Sequence, residues 1–327
     1  MCGRCGEISG VTNTSQSHRI RHGCRHEVFN LVPAISHHYL PQVYLRRFTP
    51  RDNRKLLWEF DKSTGTLIES SPKNCGCEDY YHAFKRNDGT LDTDSIELDL
   101  GQIETKIDSV YEAIRMQRPL SAAEWRAFHV FAGSMSVRVP AFIDRFHKFA
   151  SEVLEYGFEI TKTTHEFIKR SQELGVPPES LANIKASADR DFSLLMCLEA
   201  MHTPIELFSK MQWQFVQSSG ANYFITGDNP VFHCVPDRVP GSIFPPGLAD
   251  KDIEITFPMT RTTCAVGAWR SSKVLYRTVG VETIQLINAR TAAAALRYLY
   301  GPTRTAEEFE RAQNRLSPNS VIDFRHE

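Results

Sequence analysis

The spacing of apolar residues changes twice along this chain, and this change limits the folds that it can adopt. Between about Asp94 and Lys210, apolar residues recur every three or four positions, as they do in amphipathic helices. Before and after this stretch they alternate, as they do in half-buried strands. Because a helical block separates two strand-rich segments, we expect an α+β fold. We expect a mainly antiparallel sheet with a large helical insertion packed against it.

The predicted domain covers residues 31–327, with the helical insertion at about 94–210. Residues 1–30 are polar, basic and rich in Gly and Ser, so we expect a flexible N-terminal tail. A zinc site is the alternative for this tail, because it contains soft metal ligands. These ligands are Cys2, Cys5, His22, Cys24 and His26.

The overall charge argues against some kinds of partner. With a formal net charge of -1, the chain has no global field that attracts nucleic acid or an anionic membrane. No apolar run is long enough to cross a bilayer, and the first residues lack the apolar core of a secretion signal. We therefore expect a cytoplasmic protein with no membrane partner and no obligate protein partner.

Several local patterns predict individual elements. Lys55–Asp61 and Thr66–Ser70 flank a turn and predict a β-hairpin. Gln212–Val216 and Tyr223–Thr226 predict a second strand pair around a Ser-Ser-Gly turn. Near the end, Val281–Tyr300 predicts a helix that extends at least through a run of alanines.

Within the helical block, apolar residues from Ile96 to Ile114 predict one long helix. Ser121 and Glu124 have the spacing of a capping box, which marks the start of the next helix. Pro140 predicts the beginning of another, because proline is favoured in the first turn.

The segment Ser36–Phe48 combines two histidines, two tyrosines, a glutamine and two arginines with a thread of apolar residues. Pro41 predicts a short helix through Gln42–Phe48, with His37 and His38 at its positive end. So many hydrogen-bonding groups in one segment indicate a functional site. The alternative is an amphipathic helix with capping histidines and solvated arginines.

A second polar segment, Thr226–Pro230, follows an apolar strand. Pro230 keeps Asn229 out of the α region and so makes the turn rigid. Asp228 could bind a cation, orient a histidine or act as a base. The alternative is an Asx turn that ends a strand.

Arg138, two residues before Pro140, could bind a phosphate or a carboxylate. The alternative is an internal salt bridge to Glu104 or Asp228, and Glu104 lies among apolar neighbours. Asn288, in the final helical segment, could belong to the same site or cap a helix.

Several sequence signatures of enzymes are absent. The chain has no Gly-x-Gly-x-x-Gly, Walker loop, Gly-x-Ser-x-Gly or His-Glu-x-x-His motif. Nucleotide-fuelled and zincin chemistry therefore have no support in the sequence.

Taken in order, these segments resemble the signature of the domain-of-unknown-function 4238 family, which is found in bacteria and fungi. The resemblance extends from about Ser36 to Tyr300, and Gly227 replaces the serine that is usual in the family. The matching segments are His37–Phe48, Leu57–Lys62, Ser71–Asn74, Arg138–Pro140, Phe224–Val231 and Ile284–Asn288.

A fungal branch similar to this family contains the arginine-containing cyclodipeptide synthases, which make cyclo-Arg-Xaa diketopiperazines from aminoacyl-tRNAs. This resemblance implies arginyl-tRNA and a second aminoacyl-tRNA as partners, and no cofactor. It gives the polar segments roles in base catalysis, guanidinium binding, phosphate binding and stacking. The implied catalytic residues are His37, His38, Asp228 and Asn229; the implied substrate-binding residues are Tyr39, Gln42, Tyr44, Arg46, Arg47, Glu104, Arg138, Thr226 and Asn288.

Two other classes of function stay open. A nuclease could use His38, Asp228 and Asn229, with or without a divalent metal, although no cluster of metal-binding carboxylates is evident. A non-catalytic binding module would use the same motifs only to join the two strand-rich segments. The enzyme hypothesis requires the histidine segment and the acidic bend to line one cavity.

Overall fold

The computed structural model of the chain describes residues 35–50, 55–181, 183–220, 222–236, 247–270, 274–315 and 317–322. The predicted tail at residues 1–30, with its cysteines, lies outside these residues. Among the helices described, none has both the length and the hydrophobicity that a membrane crossing requires.

The fold is α+β, as predicted. The strands are β1 (Ser36–His38), β2 (Leu57–Asp61), β3 (Thr66–Ser70), β4 (Cys77–Asp79), β5 (Phe84–Lys85), β6 (Leu91–Asp92), β7 (Gln212–Ser218), β8 (Thr226–Gly227), β9 (Phe232–Cys234), β10 (Glu254–Thr260), β11 (Thr263–Ala268), β12 (Tyr276–Val279) and β13 (Tyr298–Gly301). The helices are α1 (Gln42–Leu45), α2 (Ser95–Glu104), α3 (Ile107–Arg115), α4 (Ala122–Val137), α5 (Pro140–Thr161), α6 (His165–Glu173), α7 (Pro178–Leu181), α8 (Arg190–Glu199), α9 (His202–Lys210), α10 (Val281–Ala294) and α11 (Ala306–Asn314). The last turn of the first helical segment, Arg46–Phe48, is a 3-10 helix.

Two large sheets and the two-stranded pairs β1-β4 and β5-β6 form the β part. A five-stranded sheet has the order β12-β7-β11-β10-β9, and a four-stranded sheet has the order β3-β2-β13-β8. Their pairs are antiparallel except for β12 and β7, which are parallel. The predicted hairpin is confirmed as β2 and β3. The helices α2 to α9 occupy the interval from Ser95 to Lys210, between the strands of the two β-rich segments.

The helical block confirms two of the three local predictions. Ser121 and Glu124 form a capping box at the start of α4, and Pro140 begins α5. The single long helix is wrong, because α2 ends at Glu104 and α3 begins at Ile107. Between them, the hydroxyl of Thr105 donates to the carbonyl of Gln102, a local bond that competes with helical backbone pairing.

The predicted pairing of Gln212–Val216 with Tyr223–Thr226 is also wrong. Strand β7 pairs with β11 and β12, whereas β8 pairs with β13 in the other sheet. The side chain of Asn288 takes the place of a strand partner. Its amide donates to the carbonyl of Tyr223, and its oxygen accepts from the N–H of Ile225.

The helix predicted from Val281 ends at Ala294, and residues 298–301 form strand β13 instead. Asp228 and Lys62, described below, hold the backbone at this transition. A sequence pattern in one segment cannot show contacts from residues so distant in the chain.

The core encloses the first motif. The ring of Tyr44 stacks on Phe257 at 5.6 Å between centroids and contacts Phe48 at 5.1 Å. Phe131 of α4 packs on the same ring at 6.2 Å. Each such fully buried side chain contributes about 2–3 kcal/mol of transfer free energy. The short helix α1 is therefore a central part of the core.

Candidate functional site

His37 and His38 lie in β1, which pairs with β4, and not at the entry to a helix as predicted. His37 is fully buried, and His38 is half-buried. The ring of His38 donates from Nε2 to the carbonyl of Lys73 at 2.9 Å, so in its neutral form Nδ1 carries the lone pair. Burial is the main cause that lowers the pKa of His38.

The two tyrosines of the first motif point into the protein. The hydroxyl of Tyr44 donates to the carbonyl of Pro258 at 2.8 Å. The same oxygen lies 2.6 Å from Thr226 Oγ1, so the threonine hydroxyl is the donor in that pair. Tyr39 is buried against Tyr300, and burial together with the nearby charge of Asp228 raises its pKa. The first motif and the acidic bend therefore meet through buried tyrosines.

Asp228 is buried, and both oxygens of its carboxylate are occupied. It accepts the N–H groups of Leu296, Arg297 and Tyr298 at 2.7, 2.7 and 2.8 Å. Burial raises the pKa of Asp228, while these donors and Lys62 oppose the shift. The geometry makes Asp228 the residue that shapes the connection between α10 and β13, and its guanidinium-binding and base roles stay predictions.

Other motif residues converge on the same connection, residues 292–298, which we call the α10–β13 turn. The ammonium of Lys62 donates to the carbonyls of Ala292 and Ala295 near the C-terminus of α10. Asn229 donates to the carbonyl of Ala294 at 3.1 Å. Asp61 receives two hydrogen bonds from the guanidinium of Arg297. These contacts satisfy the helix end and fix the direction in which β13 leaves it.

Arg138 is buried and joins the first motif to the helical block. Its Nε donates to the carbonyl of Tyr39, and its Nη2 donates to the carbonyl of His38. Nη2 also lies 2.9 Å from Glu104, which is the internal salt bridge that the sequence left open as an alternative. Arg138 and Glu104 are thus partners within the fold. Nη1 of Arg138 is buried and has no hydrogen-bond partner among the described residues.

His37, His82 and Glu97 bring their potential metal-ligating atoms within 4.8 Å of one another. The backbone N–H of His82 donates to Nδ1 of His37, and Nδ1 of His82 is hydrogen-bonded to Glu97. Burial is the main reason why the pKa of His82 is lowered to about 4. The residue types suit a metal, but two of their nitrogens are already engaged in hydrogen bonds. The three residues therefore form a hydrogen-bonded network in this structure.

The remaining predicted residues of the first motif lie at the surface of the helical turn. Arg46 is exposed and donates to Gln42 at 3.2 Å. Arg47 is paired with Asp108 at 2.7 Å and lines a separate cavity, described further below. These three side chains do not share a cavity wall with Asn229.

A cavity of about 350 Å³ lies between the end of α4, the start of α5, helix α9 and the segment from β8 to β9. We call it the α5 cavity. It borders two of the matching segments, because its lining includes Val137 and Ala141 on either side of Arg138–Pro140, and Asn229 and Val231 on either side of Pro230. This volume lies within the range of pockets that bind small molecules.

The α5 cavity has a mainly apolar wall with a few polar groups. The apolar part includes Phe142, Phe208 and Val231, and the polar groups are Ser136, Arg145, Thr203, Asn229 and His233. Of the four predicted catalytic residues, Asn229 belongs to this lining, whereas His37, His38 and Asp228 do not. The cavity therefore contains one predicted residue among several that the sequence did not single out.

His233 and Arg145 give the α5 cavity its chemical character. His233 lies on β9 opposite Ile255 of β10, with an exposed side chain. Desolvation and the charge of Arg145 both lower the pKa of His233, so the imidazole is neutral near pH 7 and can accept a proton. Arg145 supplies a cation beside it. In the sequence, only their positions near two motifs could have identified these residues. His233 follows Pro230 by three residues, and Arg145 follows Pro140 by five.

Comparison with known proteins gives one finding and two negative results. A family model described as "Protein of unknown function (DUF4238)" matches residues 36–305, which include each of the motif segments described above. No match was found among curated proteins or among solved structures.

Proposed function

Because this chain belongs to the DUF4238 family of proteins of unknown function, we propose that it is an aminoacyltransferase, and specifically a tRNA-dependent synthase of cyclo-Arg-Xaa diketopiperazines. The observation that supports this proposal is the α5 cavity, where a neutral His233 lies beside the cation of Arg145. Two family motifs border this cavity, so a function of the whole family can reside there.

The reaction joins two aminoacyl groups through ester aminolysis. The α-amine of one group forms a C–N bond with the carbonyl carbon of the other, and the bond to the ribose oxygen breaks. A second aminolysis within the dipeptide closes the ring and releases the other tRNA. Each step converts an ester and an amine into an amide and an alcohol, so no nucleotide triphosphate is consumed. This agrees with the absence of a Walker loop from the sequence.

His233 would take the proton that the attacking amine loses, because its lowered pKa keeps it neutral. Arg145 would stabilise negative charge on the carbonyl oxygen as the amine attacks. The apolar wall with Phe142 and Phe208 would exclude water, which competes with the amine for the ester.

The described lining of the α5 cavity contains no carboxylate. The ester and the attacking amine would therefore react in this cavity, and the guanidinium group of the arginyl substrate would lie outside it. Asp228 and Glu104 keep their internal partners in this proposal.

The test uses the purified full chain with tRNA charged with arginine and with a mixture of other amino acids, followed by mass spectrometry. We expect cyclo-Arg-Xaa products, and we expect His233→Gln to lower their rate of formation about 10²- to 10⁴-fold. The matched control is His165→Gln, because His165 is exposed on α6, away from the cavity lining. Folding of each variant is verified by its thermal unfolding midpoint.

The same samples separate the competing functions. RNA cleavage that requires a divalent metal, without any diketopiperazine, would favour a nuclease and reject the proposal. A His233→Gln variant that keeps the full rate of product formation would retain the synthase function but reject His233 as its base.

A further inference from the structure

A second cavity, of about 620 Å³, lies between α3, the 3-10 turn after α1 and the connection from β10 to β11. We call it the arginine cavity, because Arg47, Arg115 and Arg261 line it. Its wall also carries the hydroxyl-bearing residues Thr260 and Thr262. Three guanidinium groups around one space are unusual in a chain whose net charge is close to zero.

The carboxylates in this lining neutralise only part of the positive charge. Asp108 pairs with Arg47, and Glu112 pairs with Arg115. Arg261 has no ion-pair partner among the described residues, so the lining retains one net positive charge.

The ion pair of Arg47 and Asp108 can be exchanged for a ligand. The side chains of Arg47 and Asp108 are 38% and 65% exposed, and such exposed pairs contribute about 0–1 kcal/mol. A phosphate offers a guanidinium two hydrogen bonds of matching geometry, which a single contact to Asp108 does not. An anion can therefore replace the carboxylate at small cost.

Two buried polar atoms of residues that line the cavity lack a hydrogen-bond partner in the described part of the chain. They are the hydroxyl of Tyr111, a residue only 4% exposed, and Nε of Arg47. The guanidinium carbon of Arg47 lies 4.3 Å from the centre of the Tyr111 ring. Burial raises the pKa of Tyr111, so its hydroxyl stays protonated and can donate. Both atoms are donors, and a buried donor without an acceptor is costly.

We propose that the arginine cavity binds a phosphate group, with Arg47 and Arg261 as its cationic ligands and Tyr111 as a hydroxyl donor. Each of these two unpaired groups can donate a hydrogen bond, and a phosphate oxygen can accept it. This inference depends on the cavity itself and does not rest on the proposed function.

The position of the arginine cavity connects it with the α5 cavity. Ile255 of β10 lies opposite His233, and Thr260 at the other end of the same strand lines the arginine cavity. Five residues of a strand span roughly 17 Å. A nucleic-acid strand bound along this distance would place a phosphate in one cavity and its terminal group in the other.

Three probes identify the source of the phosphate: inorganic phosphate and adenosine monophosphate by calorimetry, and a labelled single-stranded RNA by fluorescence anisotropy. Arg261→Gln should weaken binding of the preferred probe about tenfold. For RNA, it should also reduce the slope of log K against log salt concentration by about one. Tyr111→Phe should weaken the same binding while leaving the unfolding midpoint unchanged, because its hydroxyl has no partner to lose.

The matched control is Arg270→Gln, because Arg270 forms an exposed ion pair with Asp252 and does not line the arginine cavity. Binding of the small probes alone would assign a small phosphate ligand, and tighter binding of RNA would assign a nucleic acid; either result supports the site. Equal binding by wild type, Arg261→Gln and Tyr111→Phe would overturn it. If wild type makes no diketopiperazine but Arg261→Gln still loses phosphate binding, only the proposed function fails.

Discussion

The α10–β13 turn and the α5 cavity use polar residues in opposite ways. At the turn, Asp228 accepts three backbone N–H groups and Lys62 donates to two carbonyls. In the cavity, the side chains of His233 and Arg145 make no hydrogen bond or ion pair with other described residues. At the turn, the polar side chains bind the backbone and stabilise the fold. In the cavity, the polar side chains are available to bind a ligand.

This contrast shows that a dense polar motif does not by itself locate a site. The Asp-Asn-Pro segment joins a strand to a helix end more than sixty residues away in sequence, and a fold needs such contacts wherever it buries backbone ends. A ligand needs polar groups that remain unpaired beside an open space. In the described residues, those groups lie next to the motifs and not within their most polar positions.

The largest expected effect is on the stability of the turn. Asp228→Ala removes the buried acceptor of three backbone N–H groups, and we expect the free energy of unfolding to fall by about 4 kcal/mol. Asp228→Asn keeps one acceptor oxygen and should lose less. Urea denaturation measures both, with Asp144→Ala, an exposed aspartate on α5, as the control.

A stable Asp228→Ala protein without enzymatic activity would contradict this view of the α10–β13 turn as a structural region. It would mean that the turn does not depend on this carboxylate and that Asp228 has a direct role in chemistry.

The next effect concerns acid. Because the pKa of His82 is lowered to about 4 in the folded protein and is near 6.5 when unfolded, the unfolded state binds more protons between these values. The stabilisation that depends on a neutral His82 is therefore fully present above pH 6.5. As the pH drops towards 4, the free energy of unfolding should fall by about 3 kcal/mol. His82→Gln should flatten this part of the curve of unfolding free energy against pH. His129, with a pKa also lowered to about 4, would account for any slope that remains.

An unchanged slope in His82→Gln would show that folding does not lower the pKa of His82. His82 and Glu97 would then form an ion pair in the folded protein between pH 4 and 6.5, where a lowered pKa keeps His82 neutral.

The sequence predicted the features of this fold that depend on local patterns. The hairpin β2–β3, the capping box at Ser121 and the start of α5 at Pro140 were found because each is encoded within a few residues. The break between α2 and α3 was missed, because the apolar spacing continues across Thr105 while the backbone does not. Strand β13 was missed because its alanine-rich approach also favours a helix.

The candidate site was harder to predict, because it depends on which groups remain unpaired. Nothing near Asp228 in the sequence reveals that Leu296, Arg297 and Tyr298 occupy its carboxylate. His233 is a single histidine on a short strand, and only the positions of α5 and α9 give it a cavity. Contacts between distant segments decided both outcomes.

A smaller effect is expected from Asn288. Its side chain makes two hydrogen bonds with the backbone of Tyr223 and Ile225, so Asn288→Ala should lower the free energy of unfolding by about 2 kcal/mol. Asn288→Asp keeps the acceptor for Ile225 but places an oxygen against the carbonyl of Tyr223. If alanine and aspartate both unfold at the wild-type urea concentration, the segment from 223 to 225 is held by other contacts.

The smallest change in stability is expected where the largest change in function is proposed. His233→Gln and Arg145→Gln should each alter the free energy of unfolding by less than about 0.5 kcal/mol, because both side chains are exposed and have no described partner to lose. Urea denaturation at pH 7.5 measures this, where His233 is neutral and its replacement by a neutral amide changes no charge. A loss of more than 1 kcal/mol in either variant would show that the cavity wall depends on these residues for its structure. The contrast between the two regions would then fail. Both the turn and the cavity would use their polar groups to stabilise the fold, and the cavity would have none left for a ligand.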